Sequence, residues 1–304
     1  MSGTVARLLD SDIAYSFRRS PVAVISAIVA LICIVGAALA TWIAPHNPFD
    51  LASLSLMDSF KPPIFAAEGE WSYLLGTDDQ GRDVLSGILY GARISLIVGF
   101  CSVALGMVIG IAAGLVSGYL GGFVDATLMR IADIQLTFPA IMVALLIDGI
   151  VRILLPKNLQ DAIEIYVLIA AIGISFWPQF ARIVRGSTLV ERSKDYVLAA
   201  KLIGISPIRI LFSHILPNVI GPVLVVATLS LGLAIITEAS LSFLGLGLPP
   251  TKPSLGTLIR IGNAFLFSGE WWVTIFPGAA LVVMVLSINL LGDWLRDALN
   301  PRLR

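Results

Sequence analysis

Asp195-Tyr196-Val197-Leu198-Ala199-Ala200-Lys201-Leu202-Ile203-Gly204-Ile205-Ser206-Pro207-Ile208-Arg209-Ile210-Leu211-Phe212-Ser213-His214-Ile215-Leu216-Pro217-Asn218 is a comparatively polar island between runs too apolar for anything but a membrane. It reads as two short helices joined at a corner. Asp195 is placed to cap the first helix, and Gly204 stands where a left-handed residue would end it. Ser206 and Pro207 restart a helix, the hydroxyl capping and the proline filling a first-turn position where its missing N–H costs nothing. Ala199, Ala200 and Gly204 are small enough for another surface to approach the backbone closely.

The composition outside the island sets the class. Of 304 residues, 57% are hydrophobic and 13% charged, and the mean hydropathy is +0.93. Soluble domains carry about 25% charged residues, so this composition is that of an integral membrane protein, and apolar runs of spanning length make an all-α one the expectation. Lysine plus arginine equal aspartate plus glutamate at 20 each, which gives no sign of a nucleic-acid partner. Cys33 and Cys101 both fall inside apolar runs and read as small packing residues, not as a disulfide or metal pair.

Working outward, residues 1–20 form a polar segment ahead of a first span at 21–44. Arg18-Arg19 and Ala38-Leu39-Ala40 resemble processing signals, but the apolar run continues past them to about the ~20 residues that span a bilayer. An uncleaved helix is the expectation. Residues 45–93 form a polar, proline-containing connection. Five further spans are expected at about 94–117, 124–150, 162–180, 219–246 and 271–295, within a core of 94–295 that holds the island and its approach at 181–218. A short tail, 296–304, closes the chain. Six spans put both ends on one side. Arg7, Arg18, Arg19, Arg182, Arg185, Arg192, Lys194, Lys201, Arg209, Arg296, Arg302 and Arg304 share that side, against seven basic residues opposite. The positive-inside bias then makes both termini and the island cytoplasmic and the 45–93 connection periplasmic. Trp42, Trp71, Trp177, Trp271 and Trp272 near span ends read as an interfacial aromatic belt.

Several chemistries have little support. No lysine follows a glycine, so a Gly-Lys-Ser/Thr phosphate loop cannot be assembled. His46 and His214 fall on opposite sides of the expected topology, which excludes a two-histidine metal site in one chain. No catalytic residue is identified. Among charges at membrane depth, Arg130 and Asp133 are three apart and able to pair, and Asp148 is expected at the solvated interface. Glu238 has Thr237, Ser240 and Ser242 nearby. Asp133 and Glu238 are therefore candidate pathway residues, with simple packing as the alternative. Pro139, Pro178, Pro217, Pro222 and Pro277 are candidate kinks or breaks.

The spacing Leu198-Ala199-Ala200, Gly204, His214-Ile215-Leu216-Pro217 resembles the cytoplasmic loop signature of ATP-binding-cassette (ABC) importer permeases, with Leu198 in place of a glutamate and His214 in place of an isoleucine. Leu75-Gly76-Thr77-Asp78-Asp79-Gln80-Gly81-Arg82-Asp83 is similar to a segment of the C-type permease subunit of dipeptide, oligopeptide and nickel importers. Within it, Thr77 or Asp78 can cap a turn, Gly81 permits a positive φ and Arg82 can bridge carboxylates; the bland alternative is a rigid exposed cap. Glu238–Gly247 and Asn289–Pro301 resemble later segments of the same subunit. The resemblance implies a six-span type I importer permease fold in the bacterial inner membrane. It implies a coupling loop formed by Asp195, Tyr196, Leu198, Ala199, Ala200, Gly204, Ser206, Pro207, His214, Leu216 and Pro217. It further implies a second permease subunit, two cytoplasmic ATPases that bind ATP and Mg, an extracytoplasmic solute-binding protein, and no cofactor in this chain. Peptides are the expected solute, with nickel or another small solute as the alternative. A proton-coupled secondary transporter is a more distant reading, and a basic helix-turn-helix on DNA is set aside because positive-inside bias accounts for the charge.

Overall fold

A computed structural model of the chain describes residues 12–48, 50, 55–66, 68–154, 156–248 and 252–299. Arg7, Arg302 and Arg304 of the charge count, and Asn300 and Pro301 of the last motif, lie outside the described residues. The protein is nearly all helical, and among the described residues five helices are long and apolar enough to cross a membrane, six if one bent pair forms a single span. It divides into two compact units, Met1–Val98 with Glu238–Arg304, and Gly99–Thr237.

In the first unit, α1 (Asp12–Arg19) leads to α2 (Pro21–Ala38), whose start is fixed by Ser20 accepting from the Ala23 N–H, with Pro21 in the first turn. A short α3 (Ala40–Ile43) follows. Ala23, Ser26, Ala30 and Ala37 form the buried face of α2, which packs on α12 (Trp272–Leu299), while Ile25, Ile28, Leu31 and Ile32 point outward. Small inward residues and large outward ones suit a helix whose outer solvent is lipid. The loop before α12 carries a helix that the sequence reading lacked, α11 (Leu255–Asn263), capped by Ser254 accepting from Thr257 N–H at 3.3 Å.

The long helix α4 (Val84–Leu120) begins in the first unit and continues in the second. At 37 residues it extends roughly 55 Å, well past a ~30 Å hydrocarbon core. In the second unit it lies against α7 (Lys157–Glu191) through Gly106, Gly110, Gly114 and Gly118. A Cβ at Gly110 would sit 2.4 Å from the Phe180 Cβ and 2.7 Å from the Trp177 carbonyl, and one at Gly114 would sit 2.6 Å from the Ala181 carbonyl. Glycine at every fourth position thus lets backbone approach backbone, which is how membrane helices gain packing when water supplies no drive between them.

The expected span at 124–150 is not one helix. It is α5 (Gly122–Leu136) and α6 (Ala140–Leu154), bent by 93°. Pro139 explains the break: it has no N–H to donate and its ring drives Phe138 out of the helical region. Neither half, at 15 residues, crosses a bilayer alone. The fourth span also differs, since α7 continues to Glu191 where a loop from 181 was expected. On the far side, α9 (Pro207–Ile210), a π turn (Leu211–Ile215) and α10 (Leu216–Phe243) run together as one candidate span. Of the proposed belt, Trp177 and Trp272 are buried, because each indole N–H has an internal acceptor: Gln135 Oε1 at 2.8 Å and the Thr77 carbonyl at 3.1 Å. Trp42 and Trp71 are exposed.

Candidate functional site

The corner is smaller and stiffer than the island suggested, because both flanking helices extend into it. What remains is α8 (Asp195–Leu202) and the turn to Pro207. Gly204 has φ +79°. Its N–H bonds the Lys201 carbonyl at 3.1 Å and the Ile205 N–H bonds the Ala200 carbonyl at 3.0 Å, the paired reverse bonds of a Schellman motif. Pro207 occupies the first turn of α9. Two details differ from expectation. Lys194, not Asp195, is the N-cap of α8, so Asp195 acts as an acid in the first turn, where it still complements the helix dipole. Ser206 is the N-cap of α9, but its hydroxyl makes no cap hydrogen bond.

The corner presents apolar side chains outward: Leu198, Leu202, Ile203, Ile208 and Phe212 are exposed, Leu202 by 87% and Ile203 by 76%. Val197, Ala200, Ile210 and Ile215 are buried beneath them. Ala199 is exposed, and Pro217 is exposed beside the half-buried Leu216. His214 lies in the π turn with Nδ1 buried. Tyr196, Asn218 and Glu191 meet next to it. Tyr196 donates its hydroxyl proton to Glu191, and Asn218 Nδ2 reaches the Tyr196 Oη at 3.1 Å and the His214 carbonyl at 2.7 Å. Sequence reasoning named Tyr196 and missed the other two. The available signal was that Glu191 and Asn218 are polar residues at the mouths of apolar helices.

A second constellation gathers Gly76, Thr77, Asp78, Gly81, Arg82 and Asp83 before α4. Asp78 Oδ1 accepts from the Gln80 and Arg82 N–H groups, both at 2.9 Å, and Oδ2 accepts from Arg82 Nε at 2.6 Å. Gly81 at φ +74° closes this turn, with no room for a Cβ against the Ser55 carbonyl. Asp83 Oδ2 accepts from Ser86 N–H at 2.9 Å and Oγ at 2.6 Å, which caps the first turn of α4. Thr77 is fully buried and receives the Lys61 N–H at 2.8 Å. The segment is therefore an inward knot, not an exposed cap: Asp78, Arg82 and Asp83 are each under one tenth exposed. Burial, with the adjacent Asp78 charge, pushes the Asp79 carboxyl above its ordinary value. On the rim, the Lys61 hydrogen bond holds Asp58 below its own.

The charges at membrane depth sort differently from expectation. Asp133 pairs with Arg182 on α7 instead of Arg130, because the packing of α5 on α7 brings the Arg182 guanidinium to it. Arg185 likewise holds Asp125, through Nε at 2.5 Å and Nη2 at 2.6 Å. Asp148 is 2% exposed, so it is not at a solvated interface. Glu238 is fully buried, accepting from Ser242 Oγ and Ser95 Oγ, both at 2.7 Å. Ser95 Oγ also accepts from the Leu255 N–H at 3.3 Å, so one carboxylate ties α4, α10 and the start of α11. Thr237 turns away to the Leu233 carbonyl. Of the two candidate pathway residues, Asp133 belongs to the second unit and Glu238 to the first.

Comparison with known proteins places the chain in a family. Residues 106–304 match the family model described as binding-protein-dependent transport system inner membrane component, and residues 11–63 match the N-terminal TM domain of oligopeptide transport permease C. The chain is 37% identical over 274 residues to a di/tripeptide transport system permease protein of Pseudomonas aeruginosa, covering 90% of this chain and 86% of that one. It is 40% identical over 290 residues to the dipeptide transport system permease protein of Escherichia coli, covering 95% and 91%. Among solved structures, an inward-facing MetNI methionine ABC transporter matches with a TM-score of 0.54 at 21% identity, over 69% of this chain and 94% of that chain, which bears on fold alone. The chain belongs to the family of binding-protein-dependent transport system inner membrane components, and is a multi-pass permease subunit of that kind.

Proposed function

We propose that this subunit passes short peptides across the inner membrane as one of two different permease chains in an ATP-driven importer. Two ATPase subunits on the cytoplasmic side bind ATP and Mg and supply the energy, and an extracytoplasmic binding protein delivers the solute. Both termini and the corner face the cytoplasm. The peptide class is supported by relatives named for di- and tripeptide transport at 37–40% identity. The observation that carries the coupling role is the corner itself. A locked backbone turn raises Leu202, Ile203 and Ile208 into the open, and a soluble partner's groove is what would cover such a patch. Nucleotide-driven closure of the ATPases then pulls on a stiff foot and rocks the attached helices between inward- and outward-facing states.

The test is uptake of labelled di-alanine into right-side-out vesicles holding the whole complex, with ATP enclosed and the binding protein outside. Uptake should require ATP and the binding protein and should compete with unlabelled di- and tripeptides. Uptake that persists without the ATPases, driven by a pH gradient, would refute the reading. So would labelling of an Ile203→Cys variant by an impermeant thiol reagent added outside intact cells.

A further inference from the structure

Pro217 creates a mechanical weak point between the corner and α10. It has no N–H for the Ser213 carbonyl, and its ring crowds that carbonyl. The helix widens in response: the Leu216 N–H bonds Leu211 O, five residues back, across the π turn Leu211–Ile215. π turns are uncommon single-turn insertions that cluster at functional sites. Slipping this one back to α-helix would shift everything on one side by about one residue, some 1.5 Å along the axis and about 100° around it. An unsupported joint of this kind would dissipate a pull on the corner before it reached the span.

The structure contains a support. The His214 carbonyl, inside the π turn, receives Asn218 Nδ2 at 2.7 Å. The second amide hydrogen of Asn218 reaches Tyr196 Oη at 3.1 Å. The hydroxyl has one proton and donates it to Glu191. Glu191 is 8% exposed and takes Lys194 Nζ on its other oxygen at 2.5 Å. The last residue of α7, the first turn of α8 and the first turn of α10 are thereby joined around one carbonyl. Burial and the Glu191 carboxylate push the Tyr196 phenol up, which keeps it a donor.

We propose that Glu191, Tyr196 and Asn218 are positioning residues that clamp the π turn, so that the corner and the two helices flanking it move as one body. This rests on the coupling role proposed above. The experiment uses the complete transporter in liposomes, with ATP hydrolysis and di-alanine import measured on equal amounts of assembled complex for wild type, Tyr196→Phe, Asn218→Ala and the double variant. Each single change should lower import per ATP by about fivefold, the factor of one lost hydrogen bond. The double should be no worse than the worse single, because both act through the same carbonyl. Amides of 211–216 should exchange faster in the singles. An unchanged import-to-hydrolysis ratio in Tyr196→Phe, which removes one oxygen and spares the fold even if Asn218→Ala does not assemble, overturns the clamp, as does a double-variant loss equal to the product of the singles. A wild-type complex that hydrolyses ATP and imports nothing overturns the coupling reading itself, a result separate from any behaviour of the variants.

Discussion

Gly204 offers a substitution whose cost is set by backbone conformation alone. Its φ is +79° and a Cβ built there meets nothing within 4 Å, so steric contact is absent and only the left-handed conformation is penalised. For an L-residue that penalty is about 1–2 kcal/mol, lower for asparagine and higher for a β-branched side chain. The expected order of damage is therefore Gly204→Asn, then Ala, then Val. The helix that the turn ends, α8, has 8 residues, too few to hold without its cap. The penalty should thus appear as local opening. At 1–2 kcal/mol, exchange of the Ile205 amide, now bonded to the Ala200 carbonyl at 3.0 Å, should accelerate about 5- to 30-fold in Gly204→Ala. Hydrogen exchange with mass spectrometry on the purified protein reads this directly. Equal acceleration in all three variants, or asparagine as the worst of them, would refute the conformational account, because only a contact-based cost is indifferent to φ preference.

Three other perturbations test separate parts of the molecule. Gly110→Val should lower thermal stability strongly and separate α4 from α7, an overpacking cost of about 1–3 kcal/mol or more, with Gly149→Ala, whose Cβ meets nothing, unaffected in the same melt. Glu238→Leu should cost about 2–4 kcal/mol, since it strands the Ser95 and Ser242 hydroxyls, while Glu238→Gln should recover most of the loss; equal melting temperatures for Leu and Gln would contradict the hydroxyl account. The Asp58–Lys61–Glu70 cluster should depend on pH. Asp58 sits below its ordinary 3.8 because of Lys61; a depressed acid stabilises above its unfolded value and loses that contribution as pH falls through the folded one. Protease resistance of the 55–66 loop should hold from pH 7 to about 5 and decline below about pH 4.

The membrane class, the helical content and the corner were legible because each rests on local chemistry: apolar run length, a glycine followed by Ser-Pro, and basic residues between runs. The ends of the helices were not. α7 continues eleven residues past Phe180 to Glu191 because its polar residues find partners across the interface, Arg182 with Asp133 and Arg185 with Asp125, so charge alone did not mark an exit from the helix. Pairing was misjudged for the same reason. Three-residue spacing offered Arg130 to Asp133, but a neighbouring helix offered Arg182, and one sequence carries no record of which helices touch. The bend at Pro139 was named among five candidate prolines. Nothing local distinguishes it from Pro178, Pro222 and Pro277, which lie inside continuous helices. The glycines at 106, 110, 114 and 118 were a readable signal of close helix approach that hydropathy, by averaging over them, concealed.

The same extension of α7 and α10 into the corner has a mechanical consequence. A loop from 181 to 218 would contain many soft dihedrals, each able to absorb displacement before a span moved. The structure leaves non-helical backbone only at 192–194 and 203–206. The first of these breaks is tied by Arg192 Nη1 to the Gly118 carbonyl at 2.8 Å and by Lys194 to Glu191. The second is tied by the bonds that end α8. The proline-induced π turn is then the remaining compliant step on the path into α10, and the Tyr196–Asn218 contact lies across it. On the coupling role proposed above, stiffness at the two loops makes that turn the site where loss of a single hydroxyl should have the largest effect on force transmission. By contrast, a change such as Leu202→Ala at the exposed apolar surface should weaken partner binding while leaving the import obtained per ATP by each bound complex near wild type.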